Sequence, residues 1–369
     1  MDTKKGLKKF AWLVYALIVF EIIYMISPFA FFYYSAYKLP LKFLQESEST
    51  SWLVQFILPH FAYSKSAIVN VHNQIGWTIL LVGLVLFVGG FCQIYYAKLF
   101  KKREVTGGLY KYIRHPQYVS LAIVGLGTLL VWPRFLILIT FVTMIFLYYF
   151  LARFEEKECL EKFGDKYAEY VQKTGMFFPR LGLLSRFSVP KLKFLPERGV
   201  TRILAICFLY IVIMAATLSF GSAVRNYSIS NIASYSDNDS FVLSLTDLNR
   251  DEIKNIYEIT LSSGEVRAKV LGDKKYLVYI LPEAWHIPEL PASFKPEHVT
   301  PKDYDQNLYK ALITEAIVQN EAATGNDLFK SAIGFDPSIL AFVNVKEKSV
   351  TRTMNPPTSK WAGIAVPLF

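Results

Sequence analysis

The apolar residues of this chain gather into long blocks separated by short charged stretches. Residues 10–37 form a first block, broken only by Glu21 and Pro28, and residues 75–97 form a second. Residues 118–132 and 135–152 follow as a closely spaced pair with Pro133-Arg134 at the tip between them, and 203–221 is a fifth. Crossing the hydrocarbon core takes about 20 helical residues, so the first, second and fifth blocks predict spanning helices directly. The middle pair is short for that length and predicts a tight hairpin of two helices that thins the bilayer locally. Residues 52–63 are apolar but too few to cross, which predicts an interfacial or re-entrant piece. The first block is too long for a signal-peptide core and no small-x-small cleavage site follows it, so it reads as a retained span. Glu21 falls about 15 Å into that span if the helix is regular. It is either a functional carboxylate or one that is protonated or paired on its own helix.

Past about residue 225 the pattern changes. The long blocks give way to short alternating runs at 241–245, 258–261, 275–281 and 341–345, which read as strands, while 305–319 has a helical pattern. The expected fold is therefore an all-α polytopic membrane domain of about five transmembrane helices, followed by a C-terminal extracytoplasmic α+β domain. In chain order this gives an N-terminal helix and outer loop (1–74), a membrane core (75–180), a cytoplasmic linker with the last span (181–224) and the outer domain (225–369).

Composition agrees with the blocks: 53% of residues are hydrophobic and only 19% are charged, against about 25% charged in a soluble globular domain. The three cysteines, Cys92, Cys159 and Cys207, lie far apart with no pairing pattern and no metal-ligand spacing, which excludes a disulfide scaffold and a cysteine-based zinc site. The histidines have no metal-site spacing either, so no metal is expected. A net charge of +10 invites a nucleic-acid reading, but the location of the charge decides against it. Residues 1–10 carry a net +3, 98–117 a net +5 and 153–202 a net +4, whereas 38–74 carry only +1 and 224–369 a net −3. The positive-inside bias places the first three on the cytoplasmic side and the tail outside, as an odd number of spans also requires. The expected partner of the basic charge is the lipid bilayer surface, and no nucleic acid is expected.

Polar residues capable of chemistry cluster where the second, third and fourth blocks meet the cytoplasm. Lys101-Lys102-Arg103-Glu104-Val105-Thr106-Gly107-Gly108-Leu109-Tyr110 leads into Lys111-Tyr112-Ile113-Arg114-His115-Pro116-Gln117-Tyr118. After the hairpin come Arg153-Phe154-Glu155-Glu156 and then Phe163-Gly164, Tyr167 and Tyr170. Leu160, Phe163, Tyr167, Tyr170 and Val171 fall near one face of a single amphipathic closing helix. A sulfonium-bearing methyl donor needs carboxylates or aromatic faces near its positive centre, a cation for its carboxylate, an acceptor for its ammonium and an apolar slot for its adenine. Arg114, His115, Tyr110, Tyr118 and the Glu155/Glu156 pair supply that set. Gly107-Gly108 permits close backbone approach and Pro116 fixes the turn into the next helix. The same residues also suit a plain interfacial anchor with a solvated, charge-paired helix face.

The pattern Gly-x-Tyr-x-x-x-Arg-His-Pro-x-Tyr, a two-helix hairpin, then Glu-Glu and Phe-Gly-x-x-Tyr-x-x-Tyr resembles the integral-membrane methyltransferases. That group includes isoprenylcysteine carboxyl methyltransferases and phospholipid N-methyltransferases, and the resemblance covers about residues 75–180. It implies S-adenosylmethionine as cofactor. Lys102, Arg103, Glu104, Val105, Tyr110, His115, Pro116, Gln117 and Tyr118 would then line the cofactor pocket, and Glu155 would hold the amino-acid end. Glu156 is the candidate for taking a proton from the acceptor, with Arg114 as its companion in catalysis. The acceptor implied is lipophilic or a small thiol, amine or carboxylate. Where isoprenylcysteine enzymes place an arginine a helical turn before the acidic pair, this chain has Leu151, which argues against a prenylcysteine carboxylate. Membrane sterol reductases that use NADPH share the Arg-His-Pro-x-Tyr stretch, but continue with Gly-Glu where this chain has Val119-Ser120. A third reading is a non-enzymatic membrane anchor for a sensory outer domain.

Overall fold

The computed structural model describes residues 43–44, 47, 49–59, 62–96, 106–180, 199–270, 274–285 and 303–356. The block at 10–37, with Glu21, lies outside the described residues, as do Lys102, Arg103, Glu104 and Val105. The described residues fall into two compact units. One draws on His72–Pro133 and Ile137–Phe220, the other on Pro28–Val71, Arg134–Leu136 and Gly221–Phe369.

The first unit is helical. Its helices are α1 (Ala67–Tyr96), α2 (Pro116–Val131), α3 (Phe135–Phe163), α4 (Asp165–Lys173) and α5 (Val200–Ser230). Three of them, over Ala67–Gln93, Phe135–Phe163 and Val200–Ser230, are long and apolar enough to cross a membrane. The chain therefore carries an integral-membrane part. The expected pair of short helices is only half right. With 16 residues α2 is short, about 24 Å, but α3 runs for 29. Beyond the apolar stretch its sequence is rich in Glu and Lys, both good helix formers, and no Gly or Pro interrupts it before Gly164. Gly164 adopts φ +58° and ψ −132°, a conformation that side-chain-bearing residues rarely take, and ends α3. The closing helix expected over Leu160–Val171 is consequently two helices meeting at that glycine.

Glycines set the spacing of α1 and α2. A Cβ on Gly127 would lie 2.5 Å from the Leu80 nitrogen, one on Gly83 2.7 Å from the Val124 nitrogen, and one on Gly76 2.8 Å from the Val131 nitrogen. Lipid offers no hydrophobic drive for two apolar helices to associate, so close backbone approach through small residues supplies the packing energy. Leu121, Met144, Tyr148 and Leu151 join α2 to α3, with Phe87, Tyr118 and Phe141 packed around them.

The second unit is built on a six-stranded sheet in sequence order: β1 (Ser234–Ser236), β2 (Ser240–Ser244), β3 (Tyr276–Pro282), β4 (Leu308–Val318), β5 (Ala332–Asn344) and β6 (Ser349–Met354). All neighbours are antiparallel except β2 and β3, which are parallel and joined through α6 (Arg250–Ser262) and α7 (Gly264–Lys269). A short α8 (Gly325–Ser331) precedes β5. Two expectations are overturned here. Residues 258–261 belong to α6, which starts at an Asn249/Glu252 capping box and buries Ile253, Ile256, Tyr257 and Thr260 at helical spacing. Residues 305–319 contain β4, a central strand paired with β3 and β5, in which Tyr309, Leu312, Ile313 and Ala316 fall at helical spacing while Lys310, Thr314 and Glu315 break up the apolar run. Strands buried on both faces lose the alternation that identifies a strand. Val278, Ile280, Ala311, Ile313, Ile339 and Ala341 face α6 and α7 and form the main core with Ile253, Ile256 and Val266.

The segment read as interfacial or re-entrant belongs to this unit. It makes a 3₁₀ turn over Ser51–Val54 and a bridge between Phe56 and Arg134. Arg134, at the tip between the two apolar blocks, is fully buried with its guanidinium 4.0 Å above the Phe56 ring.

Candidate functional site

The stretch Thr106–Tyr118 folds against the end of α3 and against α4. Gly108 takes a left-handed φ of +58°, and the space a Cβ would need there is filled by the Gln93 side chain, whose amide donates to the Gly107 carbonyl at 2.7 Å. That turn opens a 3₁₀ segment, Gly108–Lys111, which carries Tyr110 inward. Pro116 is the first residue of α2, where its missing N–H leaves no helical bond unmade and its fixed φ is already helical.

Two backbone bonds then tie this stretch to the chain after α4. The Arg114 N–H donates to Gly175 O at 2.9 Å and the His115 N–H to Met176 O at 3.2 Å. The Arg114 side chain reinforces the tie. Its Nε donates to Glu156 Oε1 at 2.6 Å, and one terminal nitrogen donates to Val171 O at 3.2 Å and also to Thr174 O. Both charged partners are over nine-tenths buried. Such a pair holds geometry well, because removing either member strands a buried charge.

The second carboxylate faces the other way. Glu155 Oε1 accepts from the Tyr118 hydroxyl at 2.6 Å, and its Oε2 lies 3.4 Å from His115 Nδ1. His115 Nε2 in turn lies 3.5 Å from Glu156 Oε1, so one imidazole stands between the two adjacent carboxylates. Its ring stacks on Tyr118, with centroids 5.6 Å apart, and Tyr118 stacks on Tyr148 at 5.0 Å.

These groups surround a cavity of about 230 Å³. Its lining comes from the stretch before and at the start of α2 (Thr106, Tyr110, Arg114, His115, Gln117, Tyr118), from α3 (Glu155, Cys159, Phe163) and from α4 (Tyr167, Tyr170). The Tyr170 hydroxyl donates to Tyr110 O at 2.6 Å, which braces α4 against the 3₁₀ segment. The electrostatics follow from burial and the acid pair. Burial works to lower the His115 pKa, but hydrogen bonds and charge from Glu155 and Glu156 outweigh it and raise the value above the ordinary 6.5. Burial, aided by the Glu155 charge, pushes the Tyr110 phenol up, and burial pushes that of Tyr170 to about 12. All the tyrosines with a shift here are neutral at pH 7. The cavity therefore presents aromatic faces and neutral hydroxyls around one carboxylate.

Of the residues read from the sequence, the structure brings Arg114, Tyr110, His115, Gln117, Tyr118 and Glu155 together on the cavity wall. Glu156 is buried behind the wall in its pair with Arg114, and Pro116 is buried at the start of α2. Cys159 and Phe163 were missed as wall residues. They stand four and eight positions after Glu155 on α3, so the same helix face would have found them. Phe163, Tyr167 and Tyr170 were read in the motif and on one helix face, without a place on the cavity wall.

Residues 73–166 match the family model described as phospholipid methyltransferase. No curated protein and no solved structure matches the chain. The matched stretch holds Arg114-His115-Pro116 and Glu155-Glu156, and the family agrees with the resemblance those motifs carry.

Proposed function

We propose that the chain is an integral-membrane methyltransferase that uses S-adenosylmethionine and acts on a lipophilic or small thiol, amine or carboxylate acceptor reaching the cavity from the bilayer. The observation that carries this reading is the cavity itself, a carboxylate set among aromatic faces, with Tyr110, His115, Tyr118 and Glu155 inside the family-matched segment. Such a lining favours a sulfonium cation and its ammonium, which Glu155 accepts. When bound, the cofactor supplies an electrophilic methyl group. A polyanionic nucleotide fits the described wall poorly. Arg114 is already engaged by Glu156 and two carbonyls, and His115 stands between two carboxylates.

The chain's own residues then have separate tasks. Glu155, oriented by Tyr118, holds the cationic end of the donor. Glu156 serves the acceptor's proton through His115: the neutral imidazole accepts it, and Glu156 Oε1, 3.5 Å from Nε2, stabilises the imidazolium that results. Burial works to raise the Glu156 pKa, but hydrogen bonds from His115 and Arg114 outweigh it and lower the value, so Glu156 itself stays a carboxylate. Arg114 keeps Glu156 in place, so both remain in the catalytic set with Arg114 in a positioning role. Lys102, Arg103, Glu104 and Val105 complete the cofactor contacts. Excluding water from the cavity and orienting the acceptor account for the rate, and no covalent enzyme intermediate is needed. The placement follows the charge bias: N-terminus and cavity cytoplasmic, a further span at 10–37, five spans in all and the sheet domain outside.

The test is binding of S-adenosylmethionine and, in parallel, NADPH to the purified protein in detergent, with His115→Ala and Glu155→Ala as controls. Saturable S-adenosylmethionine binding that both substitutions weaken is the expected result. Binding of NADPH alone would replace this reading with a reductase.

A further inference from the structure

The His115 side chain is 8% exposed, and each of its ring nitrogens faces a carboxylate: Nδ1 lies 3.4 Å from Glu155 Oε2 and Nε2 3.5 Å from Glu156 Oε1. A neutral imidazole carries N–H on one nitrogen and a bare lone pair on the other, so in that form one carboxylate oxygen meets a lone pair. The imidazolium presents an N–H to both. Burial opposes its charge, but the acid pair outweighs burial and keeps a proton on His115 at pH 6.5 in the free protein. The other described groups packed around the ring do not replace that proton. Arg114 and Arg153 approach Glu156, at 2.6 and 3.9 Å, and the Tyr118 hydroxyl donates to Glu155. On the cavity wall α3 adds the Cys159 thiol and α4 the Tyr167 and Tyr170 phenols, none of which can carry positive charge. The segment after α4 brings the Phe177 ring, which has no proton to exchange.

Glu155 faces the cavity as well. It is a third exposed and, among the described lining residues, the one carboxylate. In the reading above it receives the cationic end of the donor, beside the imidazolium it already holds. Two positive charges sharing one carboxylate repel each other, which weakens each by about tenfold or more in a partly buried site. Linkage makes the effect mutual: the factor by which the proton weakens the donor is the factor by which the donor weakens the proton. We propose that the donor and a proton compete through Glu155, so that donor binding drives one proton off His115 into solvent and leaves the neutral imidazole that the transfer requires. This rests on the methyl-donor reading and adds its order of events, since the base is made ready by the donor and not before it. One proton leaves as the donor binds. In the transfer the acceptor's lone pair bonds to the methyl carbon, the carbon–sulfur electron pair stays on sulfur, and the acceptor's proton refills the imidazole.

Titration calorimetry of the full-length protein in detergent with S-adenosylmethionine, repeated at pH 6.5 in buffers of different ionisation enthalpy, counts the protons released. The donor's own amino group, with a pKa of about 8, stays protonated there and contributes little. About 0.5–0.9 proton per donor is expected, with binding about fivefold tighter at pH 7.0 than at pH 6.0. His115→Gln should abolish the release and hold the affinity within about twofold over the same range. A second readout needs no variant: in protein labelled with ¹⁵N in its five histidines, one imidazole should pass from the doubly to the singly protonated signature when the donor is added at pH 6.5. Saturable binding with no proton released, an affinity independent of pH, or a release that survives in folded His115→Gln protein would overturn the proposal. If the unsubstituted protein fails to bind S-adenosylmethionine across this pH range, the methyl-donor reading itself fails.

Discussion

The buried ion pair behind the cavity wall gives the most decisive test of how the site is held. Glu156→Gln keeps the shape of the side chain and a hydrogen-bond acceptor for Arg114 Nε but removes the charge. Both side chains are over nine-tenths buried, so solvent does not screen the loss. Breaking a buried pair costs about 3–5 kcal/mol in general. Here Arg114 keeps its bonds to Val171 O and Thr174 O, and Gln retains part of the bond to Nε, so about 2–3 kcal/mol is expected. That corresponds to a fall in apparent Tm of about 5–10 °C, followed by thermal unfolding in detergent. Arg114→Gln, which also loses the bonds to Val171 O and Thr174 O, should in addition become sensitive to trypsin at Lys166 and Lys173. Arg114→Gln and the double variant complete a thermodynamic cycle, with a coupling of about 2 kcal/mol expected between the two sites. A Tm within 1 °C of the unsubstituted protein, with an unchanged cleavage pattern, would show that the pair does not hold the wall.

Other outcomes follow from the same geometry. The folded pKa of His115 lies above 6.5, so its contribution to stability is fully present below about pH 6.5 and is lost as pH rises through the folded value. His115→Gln should flatten that dependence in Tm measured from pH 6 upward. Tyr118→Phe removes the hydroxyl that orients Glu155. Glu155 is a third exposed, so the expected effect is a several-fold weaker S-adenosylmethionine Kd with folding intact. Gly127→Val drives a side chain into the Leu80 backbone, and overpacking of about 1–3 kcal/mol should lower the yield of folded protein in detergent. Asn249→Ala removes the cap of α6 and should cost about 1 kcal/mol in denaturant unfolding of the sheet domain.

Each feature was legible in the sequence to the extent that a local pattern encodes it. Hydropathy located α1, α2, α3 and α5 because lipid-facing helices need apolar residues all round, as the exposure of Ile203, Leu204, Phe208 and Ile211 on α5 shows. It could not locate the end of α3, because hydropathy ends where charge begins whereas a helix ends where its backbone must turn, here at Gly164. The same limit explains the sheet domain. Tyr276–Pro282 was recognisable as a strand, but β4 was not: it is covered on both faces, and the spacing of its apolar residues imitates a helix. At the site, residues next to one another in sequence were legible, since Arg114, His115 and Glu155 belong to short motifs. The motif resemblance already gave Glu155 and Glu156 different tasks, but not that Glu156 turns away from the cavity to pair with Arg114. Two adjacent helical residues point about 100° apart, and only the fold decides which one faces the cavity and which one faces Arg114. That assignment in turn explains why the acidic pair needs both members. On the proposed function a single carboxylate would have to neutralise Arg114 and receive a cation at once, whereas two neighbours serve both from one turn of helix, with His115 between them.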